Sequence, residues 1–294
     1  MQFSAWLSLN NPWQELVEET EHADALGYHT VYIPDHFMPH GVNNLAPYME
    51  SWTCLAALAT QTSNIRLSTF VTGNTYRNPG ILAKQVAQVD IISNGRVTLG
   101  IGAGWAENEH VAYGIPFQTA PERLRRLNES VQILRSLFQN ERTDFAGEFY
   151  DFRNAPLAPK PVQARLPIMV GGGGEKVTLR IVAEHADVWN CPPGSPEIFA
   201  RKLGILNVHC ERANRDPATI RKTGTMMVRF GEPPDGTPPF WDFVEDIQGL
   251  VETISRYADA GADELVIYFD PDRPLEARKE TLSAFIQDVV PQFM

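Results

Sequence analysis

Eight strand-and-helix units in succession predict a parallel (β/α)8 barrel, also called a TIM barrel, and three features of the 294 residues carry that prediction. Short β-branched or apolar runs alternate with longer helical patterns from one end to the other. Most of the runs are too short and too uniformly apolar to be half-wet antiparallel strands. Eight units within about 250 to 300 residues also suit a closed barrel better than an open doubly wound sheet, which more often shows about five or six.

The elements follow in order. Strand one spans Gln2 to Ser8. A helix comes next, with Asn11 as N-cap, Pro12 in the first turn, Gln14 reaching back and Gly27 past its end; Trp13, Leu16, Val17 and Ala23 share one face. Strands two, three and four are Thr30 to Pro34, Ile65 to Thr72 and Val97 to Ile101. Thr119 and Glu122 form a capping box ahead of Leu124, Leu127, Val131, Leu134 and Phe138, spaced at steps of three and four. Residues 140 to 163 read as an insertion within one domain covering 1 to 294: Phe145 to Tyr150 is a small hairpin and a proline-rich stretch leads on. Strands five to eight are Pro167 to Val170, Val188 to Cys191, Gly224 to Phe230 and Glu264 to Phe269. Ser195 with Pro196, and Asp272 with Pro274, open two more helices. Phe243, Ile247, Leu250, Val251 and Ile254 make an apolar helical stripe ending near Gly261.

Composition narrows the function. With 43% hydrophobic residues the chain can fill a large core. Its 25 Lys and Arg against 36 Asp and Glu leave a formal charge of -11, which disfavours nucleic acid and anionic membrane surfaces as partners. No apolar stretch approaches the roughly 20 residues of a spanning helix, and Met1 to Ser8 reads as a strand rather than a leader, so the chain is placed in the cytoplasm. Cys54, Cys191 and Cys210 show no disulfide framework and no CxxC pair; they read as reduced, mostly buried thiols.

Loop lengths locate the working end. The segments Asp35 to Tyr48, Gly104 to Gln118 and Gly231 to Trp241, after strands two, four and seven, are long, whereas returns such as Gly27 to His29 are short. The site is therefore expected at the carboxyl ends of the strands. There, Gly171, Gly172, Gly173 and Gly174 follow strand five and precede a helix opening near Glu175. Bare backbone amides at a helix start suit a phosphate, and a tight turn with nothing bound is the equal alternative. Gly100, Gly102 and Gly104 leave one face of strand four open to a flat ligand, or to packing inside the barrel. Asp35 and His36 stand at the end of strand two, where an imidazole oriented by a carboxylate can exchange protons; a loop-capping Asp beside a half-exposed His is the plainer account. Glu109 and His110 pose the same choice. No HExxH motif is present, the seven histidines show no zinc spacing, and GxSxG is missing, so no metal site is expected and hydrolysis loses ground.

Together, Pro34-Asp35-His36-Phe37, Thr72-Gly73-Asn74-Thr75-Tyr76-Arg77-Asn78-Pro79 and Leu99 to Trp105, with Glu109-His110 and Tyr113-Gly114, resemble the bacterial luciferase-like monooxygenase superfamily. Within it, the chain is most similar to the branch using the 8-hydroxy-5-deazaflavin coenzyme F420, a likeness that Pro159 to Gln163 and Pro167 to Gly174 share. The resemblance covers nearly the whole chain in order. It implies a barrel with a flavin-like ring at its carboxyl face, backed by a non-proline cis peptide between Phe70 and Val71. It also implies a phosphate loop at Gly171 to Gly174 with Glu175, and ring contacts from His36, Gly73, Gly104, Trp105 and Asn108.

On that basis the chain is expected to be an oxidoreductase passing a hydride between bound F420 and a small organic substrate. His36, assisted by Asp35, would be proton donor or ring partner. Phe37, Met38, Tyr113, Phe117 and Phe240 would wall the substrate pocket, with Gly231 to Trp241 as a lid. Two departures from the family pattern matter. Trp105 stands where the branch's glucose-6-phosphate dehydrogenase has its proton-donating Glu, so sugar-phosphate oxidation is not implied. Ala103 replaces the Arg that meets the phosphate in luciferase, which weakens an FMN reading. The alternatives are an FMN-dependent monooxygenase fed by a separate reductase, a non-catalytic flavin-binding protein and, third, a barrel hydrolase. The resemblance also implies a homodimer.

Overall fold

The computed structural model describes residues 1–39, 45–230, 242–244 and 246–293. Its strands are β1 (Gln2–Trp6), β2 (Thr30–Ile33), β3 (Arg66–Thr69), β4 (Val97–Gly102), β5 (Ile168–Gly171), β6 (Val188–Asn190), β7 (Arg221–Phe230) and β8 (Glu264–Phe269). They pair in chain order, all parallel, and β8 pairs β1 with Gln2 opposite Glu264, so the sheet closes on itself. All eight expected strands are found. Closure removes every free edge from the barrel.

Outside it lie α1 (Trp13–Leu26), α2 (Ser51–Gln61), α3 (Pro79–Ile92), α4 (Ala120–Gln139), α5 (Thr178–His185), α6 (Pro196–Arg212), α7 (Ile247–Asp259) and α8 (Leu275–Ala284). A short helix, Glu107–Ala112, interrupts the β4–α4 connection. Most apolar steps read in the sequence face inward: Leu127, Val131, Leu134 and Phe138 of α4 and Leu250, Val251 and Ile254 of α7 are buried, while Leu124 is half-buried and Ile247, at the start of α7, is exposed. The insertion is an antiparallel pair, Arg142–Ala146 with Asp151–Pro156. No described helix is long and apolar enough to cross a membrane.

Four local expectations need correction. The cap position of α1 is Pro12, not Asn11, and no side chain caps it: Pro12 is itself extended (φ -55°, ψ 148°), so the helix opens one residue late. Phe243 is not on the α7 stripe; it lies in a short strand, Asp242–Val244, beside β7. The helix after the glycine run begins at Thr178 rather than near Glu175. At α8 the cap position is likewise Pro274, with no side-chain cap, so Asp272 does not cap it, whereas three other end signals hold. Gly27 closes α1 at φ 82°. The Glu122 carboxylate accepts from the Thr119 amide (2.9 Å) and hydroxyl (2.6 Å) at the start of α4. Ser195 Oγ accepts from the Ile198 amide at the start of α6.

Two layers fill the barrel. Toward the carboxyl ends Tyr32, Met169, Val188 and Val266 form an apolar cluster, with Trp6, Phe70 and Val71 packed on it. The other layer is polar and centres on Glu264, which is fully buried; it accepts from the Ser4 hydroxyl (2.6 Å) and the Tyr32 hydroxyl (3.1 Å) and pairs with Arg221 at 3.1 Å.

Candidate active site

A cavity of about 340 Å³ opens at the carboxyl ends of the strands. β1 contributes Trp6, the β2 end Asp35 and His36, and the β3 end Phe70 and Val71. Opposite them are Gly102 to Trp105 after β4, Gly171 and Gly172 from β5, and Asn190 from β6. Gly73, Tyr76, Thr178, Pro192 and Pro193 complete the wall.

The Phe70–Val71 peptide is cis. Val71 fits where glycines leave room: a Cβ on Gly102 or on Gly171 would come within 2.9 Å of a Val71 methyl. Gly100 answers to packing, because a Cβ there would stand 2.1 Å from the Thr69 carbonyl oxygen. Of the strand-four glycines, Gly102 and Gly104 thus line the cavity and Gly100 lets β3 approach. Phe70 packs between Trp6 and Tyr32, with ring centroids at 4.9 and 5.0 Å, so the floor beside Val71 is held by aromatic contacts.

His36 has a carboxylate partner, but it is not the adjacent Asp35. Consecutive side chains diverge here, and Asp35 turns to Arg77 (2.6 and 3.2 Å), which also binds Glu50 at 2.6 Å. That network ties the end of β2 to the start of α2. The imidazole instead meets Glu109 of the short helix, Nδ1 to Oε2 at 3.1 Å. Glu109 is fully buried and also accepts from the Tyr76 hydroxyl and the Phe37 amide. Burial opposes its ionisation, but hydrogen bonds from His36 and Tyr76 outweigh that and hold its pKa below the ordinary carboxylate value. An ionised carboxylate only accepts, so Nδ1 of His36 carries the proton in that bond. His110 turns away from the cavity, bonding Thr75 (2.7 Å) and the Ala106 carbonyl (2.7 Å).

The glycine run wraps Thr178. Gly172 adopts φ 131°, open to few residues other than glycine, and a Cβ on Gly174 would come within 2.7 Å of the Thr178 hydroxyl. Gly172 donates to the Asn190 carbonyl (3.0 Å), and its own carbonyl accepts from the Trp189 indole (3.0 Å). Lys202 reaches the Gly173 carbonyl at 2.7 Å and Glu175 at 2.7 Å. Lys202 and Arg201 hold the Glu175 carboxyl down to about 2.

Several expected residues stand off the cavity. Gly173, Gly174, Glu175 and the exposed Asn108 lie outside its wall, Glu175 anchoring the loop to α6 instead. Phe37, Met38, Tyr113 and Phe117 also stand behind the wall: Phe37 packs on Tyr76 and Tyr113, Met38 is buried, and Phe117 lies between His110 and Arg123. Phe240 and the whole of the expected lid, Gly231 to Trp241, fall outside the described residues. Among the described residues no three His, Cys, Asp or Glu side chains gather as a metal site. Cys191 is buried, which pushes its thiol up to about 12 and keeps it unreactive. The wall residues Trp6, Thr178 and Asn190 carry no motif. Thr178 was open to inference as the first hydroxyl of a helix that follows glycines.

Comparison with known proteins agrees with this architecture. A chain from Intrasporangium calvum described as an F420-dependent glucose-6-phosphate dehydrogenase is 36% identical, over 95% of this chain and 94% of that one. A second so described, from Rhodococcus jostii, is 30% identical over 94% and 87%. Among solved structures, an F420-dependent secondary alcohol dehydrogenase with an F420-acetone adduct shares the fold at TM-score 0.87 and 19% identity, covering 100% of this chain and 99% of that one. A coenzyme F420 dependent tetrahydromethanopterin reductase from Methanopyrus kandleri does so at 0.84 and 18%, covering 100% and 99%. Residues 1–235 match the luciferase-like monooxygenase family model, and the chain belongs to that family.

Proposed function

We infer that this chain is an F420-dependent oxidoreductase that moves a hydride between the deazaflavin and a small organic substrate. The observation that carries the reading is the cavity itself: a floor of Phe70 and Val71, an imidazole fixed by a buried carboxylate on one side, and the Gly172–Thr178 turn on the other. The relatives described as F420-dependent dehydrogenases support it.

The group fits. Gly102 and Gly171 have no side chain over the floor, so a planar ring can lie against Val71, and Thr178 stands at a helix start suited to a phosphate. Lys202 adds a cation behind Gly173. Bound deazaflavin would supply the hydride acceptor or donor. The protein would supply the rest: Val71 and the glycines would seat the ring, the β5–α5 turn would hold the phosphate, and Trp6 and Trp105 would cover the mouth. His36 would hold or deliver a proton, and Glu109 fixes the imidazole's orientation. Glucose 6-phosphate, named for the relatives, is not carried over, because Trp105 occupies the rim.

Titration of the purified protein with oxidised F420 and, separately, FMN tests the reading by fluorescence. Micromolar binding of F420 with much weaker FMN is expected. Tight FMN binding without F420 binding would favour the oxygen-activating alternative.

A further inference from the structure

We propose that Asn190 is a specificity-determining residue of this cavity: its side-chain oxygen is locked toward the ligand and selects a cofactor that presents an N–H or O–H group there. The proposal rests on the redox reading above and adds what one wall residue demands of the bound group.

Asn190 closes β6, lines the cavity and is only 6% exposed. Its side-chain amide could point either way, and its neighbours decide which. Thr225 on β7 is buried, and its hydroxyl donates its one proton to the Cys191 carbonyl at 2.8 Å. With that proton committed, Thr225 Oγ1 can only accept from Asn190, so the group that faces it at 3.0 Å is the amide nitrogen Nδ2. The Cys191 carbonyl, 3.4 Å from the same nitrogen, is a second acceptor on that side. A flipped amide would set Oδ1 against both oxygens and forfeit the hydrogen bond, a loss that burial makes heavier.

The lock leaves Oδ1 on the other side, where it accepts from no described residue. It lies 3.6 Å from where a Cβ on Gly171 would stand, and that same point is 2.9 Å from a Val71 methyl. The free acceptor therefore borders the bare stretch of floor that suits a planar ring. An amide oxygen accepts and never donates. Covered by an apolar edge or by another acceptor, it loses its water without replacement; covered by an N–H or O–H, it is satisfied. The deazaflavin carries both kinds of donor, the imide N–H of its ring and the hydroxyls of its side chain. Thr225 is not part of the cavity wall, so it is a positioning residue that acts through Asn190.

Fluorescence titration with oxidised F420 tests the lock in four proteins: the parent, Asn190→Leu, Thr225→Val and Thr225→Ser, each melted beside the parent to establish that it is folded. Asn190→Leu should bind about tenfold more weakly. Thr225→Val keeps the shape but frees the amide to turn, and should lose about three- to tenfold; Thr225→Ser keeps the hydroxyl and should stay within about twofold of the parent. The 10-methyl deazaflavin, which has the imide N–H and no hydroxyl chain, separates the two donors. A loss in Asn190→Leu that persists with it assigns the imide, and a loss confined to F420 assigns a side-chain hydroxyl. F420 binding unchanged by Asn190→Leu, or equal losses in the two Thr225 variants, overturns the proposal. A parent that binds FMN and not F420 would instead fault the cofactor reading, and the same four proteins titrated with FMN, which carries both donors, still test the lock. Binding of neither overturns both.

Discussion

Between Tyr76 and His36, the Glu109 carboxylate gathers three donors while shielded from water. Its pKa lies below the ordinary 4.5, so its support for the site is complete above that value and fades as pH falls through the depressed one. Tyr76→Phe removes one donor, and the acid limb of the activity profile should therefore move up toward the ordinary carboxylate range. An acid limb that stays in place would detach Glu109 from the reaction. His36→Ala should lower kcat by roughly 10² to 10⁴ while cofactor affinity changes little, measured by steady-state kinetics beside a binding titration. Equal losses in both would make His36 a binding residue. The sequence made His36 visible through its place at a strand end, but not its partner. Asp35 is adjacent and turns away, while Glu109 is 73 residues distant and arrives only when β2 and the β4 loop share one rim. Neighbourhood along the chain says little about such a pair, because successive residues at a strand end point to different sides.

Elements are joined outside the barrel by small polar knots, of which Asp24 is one. At the end of α1 it accepts from the amides of Ser63 (2.7 Å), Asn64 (3.2 Å) and Ile65 (2.8 Å), fixing the turn that feeds β3. Burial opposes its charge, but the amides of Ser63, Ile65 and Asn64 prevail and lower its pKa. Asp24→Ala should cost about 1–3 kcal/mol at neutral pH. Because the lowered pKa makes that stabilisation vanish as the medium becomes strongly acidic, the melting difference between variant and parent should shrink there. A constant gap across pH would assign the loss to packing. At this scale the sequence was most readable where one signal dominated, as in the uniformly apolar strands and at Ser195 and Gly27. It misled where two signals competed. Asn11 has the better capping chemistry, yet the fixed backbone of Pro12 sets where α1 begins. Phe243 continues an apolar period that β7 captures as a strand pairing.

Across the whole molecule, the ring of strands is cross-braced by Glu264, whose contacts join β8 to β1, β2 and β7. Glu264→Ala would leave the Arg221 charge without its buried partner and should destabilise the fold by roughly 3–5 kcal/mol. Thermal melting followed by circular dichroism should show Tm lower by roughly 10 °C; an unchanged Tm would mean that the brace contributes nothing. The closed topology was legible because eight repeating units leave few other ways to bury so many apolar strands. The division of its interior into an apolar and a charged layer was not, since Glu264 and Arg221 read in isolation as surface residues. One last consequence concerns Val71, seated in the space that glycines on two neighbouring strands vacate. A methyl added at Gly102 or Gly171 collides with it, and trimming the valine alone leaves a void, so this bed can be recut only by paired exchanges. New substrate preferences would then arise at the mouth, around Trp105 and Pro192, where one replacement suffices, and lineages descended from this chain should diversify there while their ring seat stays fixed.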